Sequence, residues 1–139
     1  MAIPTNIKTL LSGDVVEWAR IEYKETWDAA ASLKTICAFA NDLDNWGGGY
    51  IVIGVKENNG RPTYPLKGVS TDKLDAYQKS IYAKCKLIRP SYTPIISVER
   101  YQDKQFIVIW CPGGDSRPYS SPKTMGKDNK ERIHYIRKA

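Results

Sequence analysis

The sequence predicts one mixed α/β domain, and three observations support that prediction. A continuous β-branched run at residues 50–55 is typical of a central strand covered on both faces. Two long helical segments with apolar stripes flank this run in the sequence. Residues 94–101 and 104–110 read as two strands joined by a short turn, which indicates a hairpin. Because no internal repeat or linker is present, we expect a single layered domain over residues 1–139.

The first half of the chain predicts a helix, a strand, a second helix and the central strand. Residues 6–11 are mildly helical, and residues 20–26 alternate apolar with charged side chains, which is the period of a half-buried strand. Asp28 is a good N-cap for the helix that follows. We expect Trp46 and the glycines after it to end that helix.

The second half predicts one more helix, the hairpin, a long loop and a last strand. Residues 70–72 form the cap region of the helix, and Pro90 ends it. Its apolar stripe is Leu74, Tyr77, Ile81, Cys85 and Ile88. Residues 111–129 are rich in Pro, Gly, Ser and Lys and predict a loop. Residues 132–137 alternate again and predict a C-terminal strand.

Glycines cluster where the second helix meets the central strand. A dinucleotide-binding fingerprint places its glycines after a strand and before a helix, and here that order is reversed. We therefore predict a structural turn with positive φ angles, and a close approach of backbone N–H groups to an anion stays open as the alternative. The glycines concerned are Gly47, Gly48, Gly49 and Gly54.

The charge is basic and unevenly distributed. The net charge is +6 and the pI about 9.2. Residues 1–70 hold seven basic and eight acidic side chains, whereas residues 71–139 hold fourteen and seven. Tyrosines interleave with the cations of the second half, which is typical of a surface for a phosphate backbone and its bases. A solvated surface that keeps the domain soluble explains the same composition.

Other features of the composition limit the class of protein. The chain has one histidine, His134, and three widely spaced cysteines without a C-x-x-C pair, which argues against a zinc ribbon and a disulfide framework. No apolar run approaches the ~20 residues of a membrane span, and the N-terminus lacks signal-peptide character. We expect a cytoplasmic protein without a membrane partner. Because the chain stops just after a strand, we also expect it to be an excised domain of a longer protein.

Three carboxylates would converge if their strands are neighbours. Glu17 and Glu22 lie either side of the entry to the first strand, and Glu57 follows the central strand. Several oxygens at one point would suit Mg²⁺ or Mn²⁺, which would activate water against a phosphodiester. Solvated strand-end acids paired with Lys24 or Lys56 are the alternative.

Seven short motifs occur in this sequence in one order. They are E-W-A-R-I-E-Y-K from 17, I-C-A-F-A-N from 36, G-G-G-Y-I-V-I-G-V from 47, I-R-P from 88, V-I-W-C-P-G-G from 108, R-P at 117 and Y-I-R from 135. Together they resemble the Schlafen-type AlbA-like DNA-binding domain, which is found at the N-terminus of bacterial transcriptional regulators and helicase-like proteins. The resemblance covers residues 12–138.

This resemblance implies an Alba-like β-α-β-α-β-β core, here with an extra N-terminal helix and a C-terminal strand. It implies nucleic-acid binding and further domains after this one. In the Schlafen branch the domain is similar to a metal-dependent RNA-cutting unit whose three acids match Glu17, Glu22 and a position near the end of the central strand. There this sequence has Lys56-Glu57 where an Asp-Asp pair is common.

We therefore predict a nucleic-acid-binding domain of a bacterial transcriptional regulator, with DNA favoured over RNA. The expected phosphate contacts are Lys24, Arg89, Arg117, Lys123, Lys127, Arg132 and Arg137, with Tyr119 or Tyr135 stacking on a base or sugar. We expect no cofactor. A divalent-metal endoribonuclease that uses Glu17, Glu22 and Glu57 with Mg²⁺ or Mn²⁺ is one alternative, and a homodimerisation or protein-interaction module is another.

Overall fold

A computed structural model of the chain describes residues 3–12, 20–125 and 131–137, and within these it has the predicted mixed α/β fold. In chain order the elements are α1 (Ile7–Leu10), β1 (Ile21–Lys24), α2 (Ala29–Asn41), β2 (Gly49–Ile53), β3 (Glu57–Asn58), β4 (Arg61–Pro62), α3 (Thr71–Cys85), β5 (Ile95–Tyr101), β6 (Lys104–Cys111), β7 (Ser121–Pro122) and β8 (Arg132–Ile133). None of the helices in these ranges has the length and apolar character that crossing a membrane requires.

The main sheet has four strands in the order β1-β2-β6-β5. β1 runs parallel to β2, with Ile21 opposite Tyr50, whereas the β2–β6 and β6–β5 pairs are antiparallel. Every residue of β2 is buried. The β-branched run therefore forms a central strand, as predicted.

Both faces of the sheet are covered. Ile51 and Ile53 of β2 belong to the core under α2 and α3, whereas Tyr50 and Val52 belong to the core under α1. This alternation follows from the period of two in a strand, and it explains why a strand buried on both faces has no polar positions.

The second helix begins as predicted and ends earlier than predicted. The Asp28 carboxylate accepts a hydrogen bond from the Ala31 amide at 3.3 Å, so Asp28 is the N-cap. α2 stops at Asn41, and the expected stop at Trp46 was wrong. Asp42 adopts the left-handed conformation at φ 39°, and its N–H donates to the Ala38 carbonyl at 3.2 Å, which terminates the helix.

Gly47 and Gly48 form a turn with positive φ, whereas Gly49 is the first residue of β2, and Gly54 has φ 107° just after that strand. Gly47 and Gly48 have φ angles of 86° and 79°, and the Asp42 carboxylate already accepts the Gly47 amide at 3.0 Å. A Cβ atom at Gly48 would collide with the Cys111 carbonyl of β6. Only glycine therefore fits where this turn crosses the end of the neighbouring strand.

The C-terminal region departs from the prediction. The β5–β6 hairpin is present, with Gln102 and Asp103 at positive φ as a two-residue turn requires. The predicted loop at 111–129 contains β7, and the predicted last strand is regular only at Arg132–Ile133. β8 pairs with β7 in a separate two-stranded sheet and does not extend the main sheet.

Candidate nucleic-acid interface

Two predicted phosphate contacts meet where the chain leaving α3 approaches the β7–β8 sheet. The backbone of Arg89 pairs with that of Ser120 through N···O distances of 3.0 and 2.7 Å. The Arg132 guanidinium donates to the Leu87 carbonyl at 2.6 Å and to the Ser120 carbonyl at 2.9 Å. Arg132 therefore fixes the β7–β8 sheet to the segment that follows α3.

These two arginines form a positive centre that has no acidic ion-pair partner among residues 3–12, 20–125 and 131–137. Partial burial lowers the pKa of Arg132, and the nearby positive charge of Arg89 lowers it further. The ion pairs found in the described ranges include neither residue. The Arg89 side chain is exposed, and exposed Lys86 and half-buried Lys84 precede it at the end of α3. A phosphate group would neutralise this cluster. We call Lys84, Lys86, Arg89 and Arg132 the arginine face.

Lys123 and Lys127 were also predicted as phosphate contacts, in the loop at 111–129. Lys123 pairs with Glu131 at 3.3 Å, and both side chains are more than half exposed, so the pair is weak and Lys123 can turn to a phosphate. Lys127 lies outside the described residues.

Arg117 has a structural partner set at the end of α2. Its Nη1 atom donates to the carbonyls of Asn41 and Asp42 at 3.3 and 3.2 Å and to Asn45 Oδ1 at 3.2 Å. A cation at this position complements the negative end of the helix dipole. Arg117 remains exposed, but its guanidinium already donates hydrogen bonds to groups of the protein.

The two predicted stacking tyrosines differ in exposure. Tyr119 is only 3% exposed and makes an edge-to-face contact with Tyr92 at 5.3 Å between ring centroids. It is a core residue here, and its ring is not presented to a base. Tyr135 is half-buried and lies beneath the Lys34 ammonium at 5.8 Å from the ring centroid, so it keeps a partly accessible face.

Arg137, at the end of the Y-I-R motif, anchors the C-terminal segment to β1. Its Nη1 atom donates to Glu22 Oε1 at 2.8 Å, and the guanidinium lies 5.1 Å from the centroid of the Phe39 ring. The other Glu22 oxygen accepts the Thr35 hydroxyl at 3.0 Å and lies 3.8 Å from Lys24 Nζ. Arg137 and Lys24 thus neutralise one carboxylate that is 14% exposed.

The carboxylates predicted to hold a metal ion do not form such a site in the described residues. Both oxygens of Glu22 have positive or donor partners, which disfavours a second cation. Glu57 is exposed, and its carboxylate accepts the Gly60 amide at 2.9 Å in the β3–β4 turn. Glu17 lies outside the described ranges, and those ranges contain no group of three or more metal-ligating side chains. The nuclease hypothesis stays a prediction.

Asn41 was missed by the sequence interpretation. It is 8% exposed, and its Nδ2 atom donates to the carbonyls of Tyr119 and Tyr135 at 3.0 and 2.7 Å. Its Oδ1 accepts the Tyr119 amide at 2.6 Å. The side-chain amide of Asn41 therefore joins the end of α2 to the segment around Tyr119 and to the segment around Tyr135. The signals in the sequence are a polar residue that ends an apolar helix and its place at the end of the I-C-A-F-A-N motif.

The three thiols are core residues. Cys37, Cys85 and Cys111 are buried and free. Burial raises the pKa of all three, to about 12 for Cys85. Because the thiolate is the reactive form, none of them is poised as a nucleophile.

Comparison with known proteins identifies relatives of this chain. The family model described as "Schlafen, AlbA_2" matches residues 17–139. No curated protein shows significant similarity.

Solved structures share the fold. The N-terminal domain of a Nitrosomonas europaea protein, named for its relation to the RecG ATP-dependent DNA helicase, has a TM-score of 0.70 and 25% identity, and the match covers 97% of this chain and 90% of that domain. The DIP2311 protein from Corynebacterium diphtheriae has a TM-score of 0.53 and 14% identity, over 84% of this chain and 23% of that protein.

Proposed function

The chain belongs to the Schlafen AlbA_2 family, and from this premise we propose that it is the DNA-binding module of a cytoplasmic bacterial transcriptional regulator. The family and the helicase-related name of a structural relative support nucleic-acid binding in general. The regulator role, the preference for DNA and the cellular compartment are our proposal.

The observation that carries this proposal is the arginine face. Arg89 and Arg132 both bond to Ser120, and neither has a carboxylate partner in the described ranges; burial and then the charge of Arg89 lower the pKa of Arg132. Such a pair is electrostatically unfavourable in the free domain, and a phosphate backbone relieves that repulsion while it gains two charge-assisted contacts. Lys24 and Arg137 contribute less, because the Glu22 carboxylate neutralises them, whereas Arg117 and Arg132 donate to uncharged groups and keep their positive charge.

Fluorescence anisotropy with labelled duplex and single-stranded oligonucleotides at two salt concentrations tests the proposal. We expect binding that weakens steeply as salt rises, with the duplex bound more tightly. An Arg89→Gln variant should bind more weakly, whereas Lys8→Gln removes the same charge from α1 on the opposite side of the sheet and should bind as the wild type does. No binding at low salt would refute the proposal.

Dimerisation is a second candidate function, and the outer edge of β5 favours it. This seven-residue strand is paired only with β6 in the main sheet, and Val98 on it is 38% exposed. An unpaired strand edge is a template for a second copy of the chain. Sedimentation velocity at micromolar concentration should show a dimer that a Val98→Lys variant abolishes, and a monomer throughout would exclude this function.

Metal-dependent RNA cleavage is tested separately. The described geometry gives no support for it, because Glu22 is neutralised by its neighbours. Structured RNA incubated with Mn²⁺ and with wild-type or Glu22→Gln protein distinguishes the cases. Cleavage by the wild type that the variant lacks would establish the enzyme, and equal background would remove it.

A further inference from the structure

A cleft of about 610 Å³ opens at the N-terminal end of α3. Its walls are the segment after β1, the loop that precedes α3, the first turns of α3 and the β5–β6 turn. α3 has 15 residues, so this cleft and the arginine face are about 22 Å apart along the helix. It is therefore a separate place on the domain, and its volume is in the range of small-molecule sites.

The cleft is positively charged. The charged side chains that line it are Lys67, Lys73, Arg100 and Lys104 against Glu25 and Asp103. Lys67 is paired with Glu25 at 2.5 Å, and this contact lowers the pKa of Glu25. Lys73, Arg100 and Lys104 are in none of the ion pairs found between described residues. Three cations are thus available to an anion, and the acids at the rim disfavour a long polyanion.

The start of α3 adds a second attraction for an anion. Ser70 occupies the N-cap position, but its side chain makes no capping hydrogen bond to the helix. The hydroxyl is instead bonded to the carboxylate of Asp72, whose pKa it lowers. The first N–H groups of α3 therefore lack a cap from Ser70, although the Asp72 carboxylate of the first turn accepts a backbone N–H and complements part of the helix dipole.

One polar atom of the wall has no partner. Gln105 lines the cleft, and its Oε1 is shielded from water but accepts no hydrogen bond from the part of the chain that is described. Such an acceptor is costly to leave unpaired, and the last side-chain torsion of glutamine is soft. A rotation of this amide would let Oε1 accept from a hydroxyl or amino group in the cleft. A fully ionised anion such as sulfate offers no such donor, and inorganic phosphate near neutral pH offers only a P–OH group.

The walls of the cleft are held in place by the backbone. The Val69 amide donates to the Gln105 carbonyl at 2.7 Å, and the Gly68 amide donates to the Gly54 carbonyl at 2.8 Å. Gly68 has φ 71°, and a Cβ atom there would lie 2.9 Å from Lys104 Cβ. The loop before α3 is therefore fixed against the start of β6, which preorganises the site.

We propose that this cleft binds a nucleoside phosphate as a small-molecule effector, with its phosphate between Lys73, Arg100 and the start of α3 and its sugar or base donating to Gln105. The cations and the start of α3 would attract the phosphate. The unpaired Oε1 atom of Gln105 would accept a hydrogen bond from a donor group on the same ligand. Half-buried Tyr77 lines the cleft and offers a ring surface to the base.

Titration of ¹⁵N-labelled protein with adenosine 5′-monophosphate, adenosine and inorganic phosphate, followed by amide chemical shifts, tests this proposal. The monophosphate should shift Thr71, Lys73 and Gln105 and bind more tightly than either fragment. Arg100→Gln should weaken it about tenfold through loss of a charge-assisted contact, while exposed Lys8→Gln leaves it unchanged. Gln105→Met should reduce its affinity to that of inorganic phosphate.

Several outcomes would overturn the proposal. One is the absence of shifts at the start of α3, and another is unchanged affinity in Arg100→Gln. Inorganic phosphate that binds as tightly as the nucleotide would show a general anion site. Shifts confined to Arg89 and Arg132 would show a fragment of nucleic acid at the arginine face. DNA binding by Arg100→Gln should remain near that of the wild type, which separates this test from that of the proposed function.

Discussion

At the scale of residues, the predicted basic side chains divide by their existing partners. Arg137 and Lys24 neutralise Glu22, and Arg117 binds the carbonyl end of α2, so these charges stabilise the fold. Arg89 has no carboxylate partner among the described residues, and Arg132 binds only carbonyls and a hydroxyl. Residue type alone could not make this division, because it depends on contacts between residues up to 115 positions apart.

The clearest residue-scale prediction concerns Asn41. Asn41→Ala should leave the Tyr119 amide and the Tyr135 carbonyl without their side-chain partner, and the Tyr119 carbonyl with the weak Cys37 thiol donor at 3.4 Å. We expect a loss of about 2–4 kcal/mol in the free energy of unfolding, since an unsatisfied buried polar group costs about 1–3 kcal/mol. Urea denaturation measures it. Asn58→Ala, at an exposed position in β3, is the control, and equal effects would contradict the role of Asn41.

At the scale of elements, local pattern predicted the helices and main strands, and long-range pairing accounts for the errors. The hairpin and the buried central strand follow from turn chemistry and β-branched runs. The pairing of β7 with β8 was not predictable, because each has two residues and β7 lies in a segment whose composition predicts a loop. The end of α2 depends on Asp42, a residue that rarely adopts positive φ.

The junction between β1 and the C-terminal segment gives an element-scale prediction. Arg137→Met should lower the free energy of unfolding by about 1–3 kcal/mol. This range lies between the values for exposed and for buried ion pairs, because the side chains of Arg137 and Glu22 are 23% and 14% exposed. A double-mutant cycle with Glu22→Gln, measured by urea denaturation, isolates the pair. Strict additivity of the two single effects would contradict the anchor.

At the scale of the whole molecule, the buried thiols link stability to alkaline pH. A folded pKa of about 12 for Cys85 lies above the value of about 8.5 in an unfolded chain, so folding favours the protonated thiol. Its contribution is therefore complete below about pH 8.5 and is lost between that pH and about 12.

The expected result is a fall in the free energy of unfolding of up to about 1.4 kcal/mol per pH unit for each buried thiol above pH 9. Urea denaturation between pH 8 and 11 measures this slope. Cys85→Ala should have a smaller slope than the wild type. An unchanged slope in that variant would show that other groups cause the alkaline loss.

The structure also shows where described basic side chains of the second half of the chain lie. The second half of the chain holds most of the basic excess, and among its described residues four cations form the arginine face and three line the cleft at the start of α3. The sequence predicted a basic second half. Its separation into two sites depends on tertiary contacts, because the β5–β6 turn lies at the start of α3 and Arg132 of β8 bonds to the segment after the end of α3.

The dependence of duplex affinity on salt tests the central claim most directly. Each phosphate contact contributes about −0.9 to the slope of log K against log salt concentration for duplex DNA. We predict that Arg89→Gln reduces the magnitude of this slope by about 0.9, whereas Lys8→Gln leaves it unchanged. Equal slopes for the wild type and Arg89→Gln would contradict the account, because the arginine face would then make no phosphate contact through Arg89.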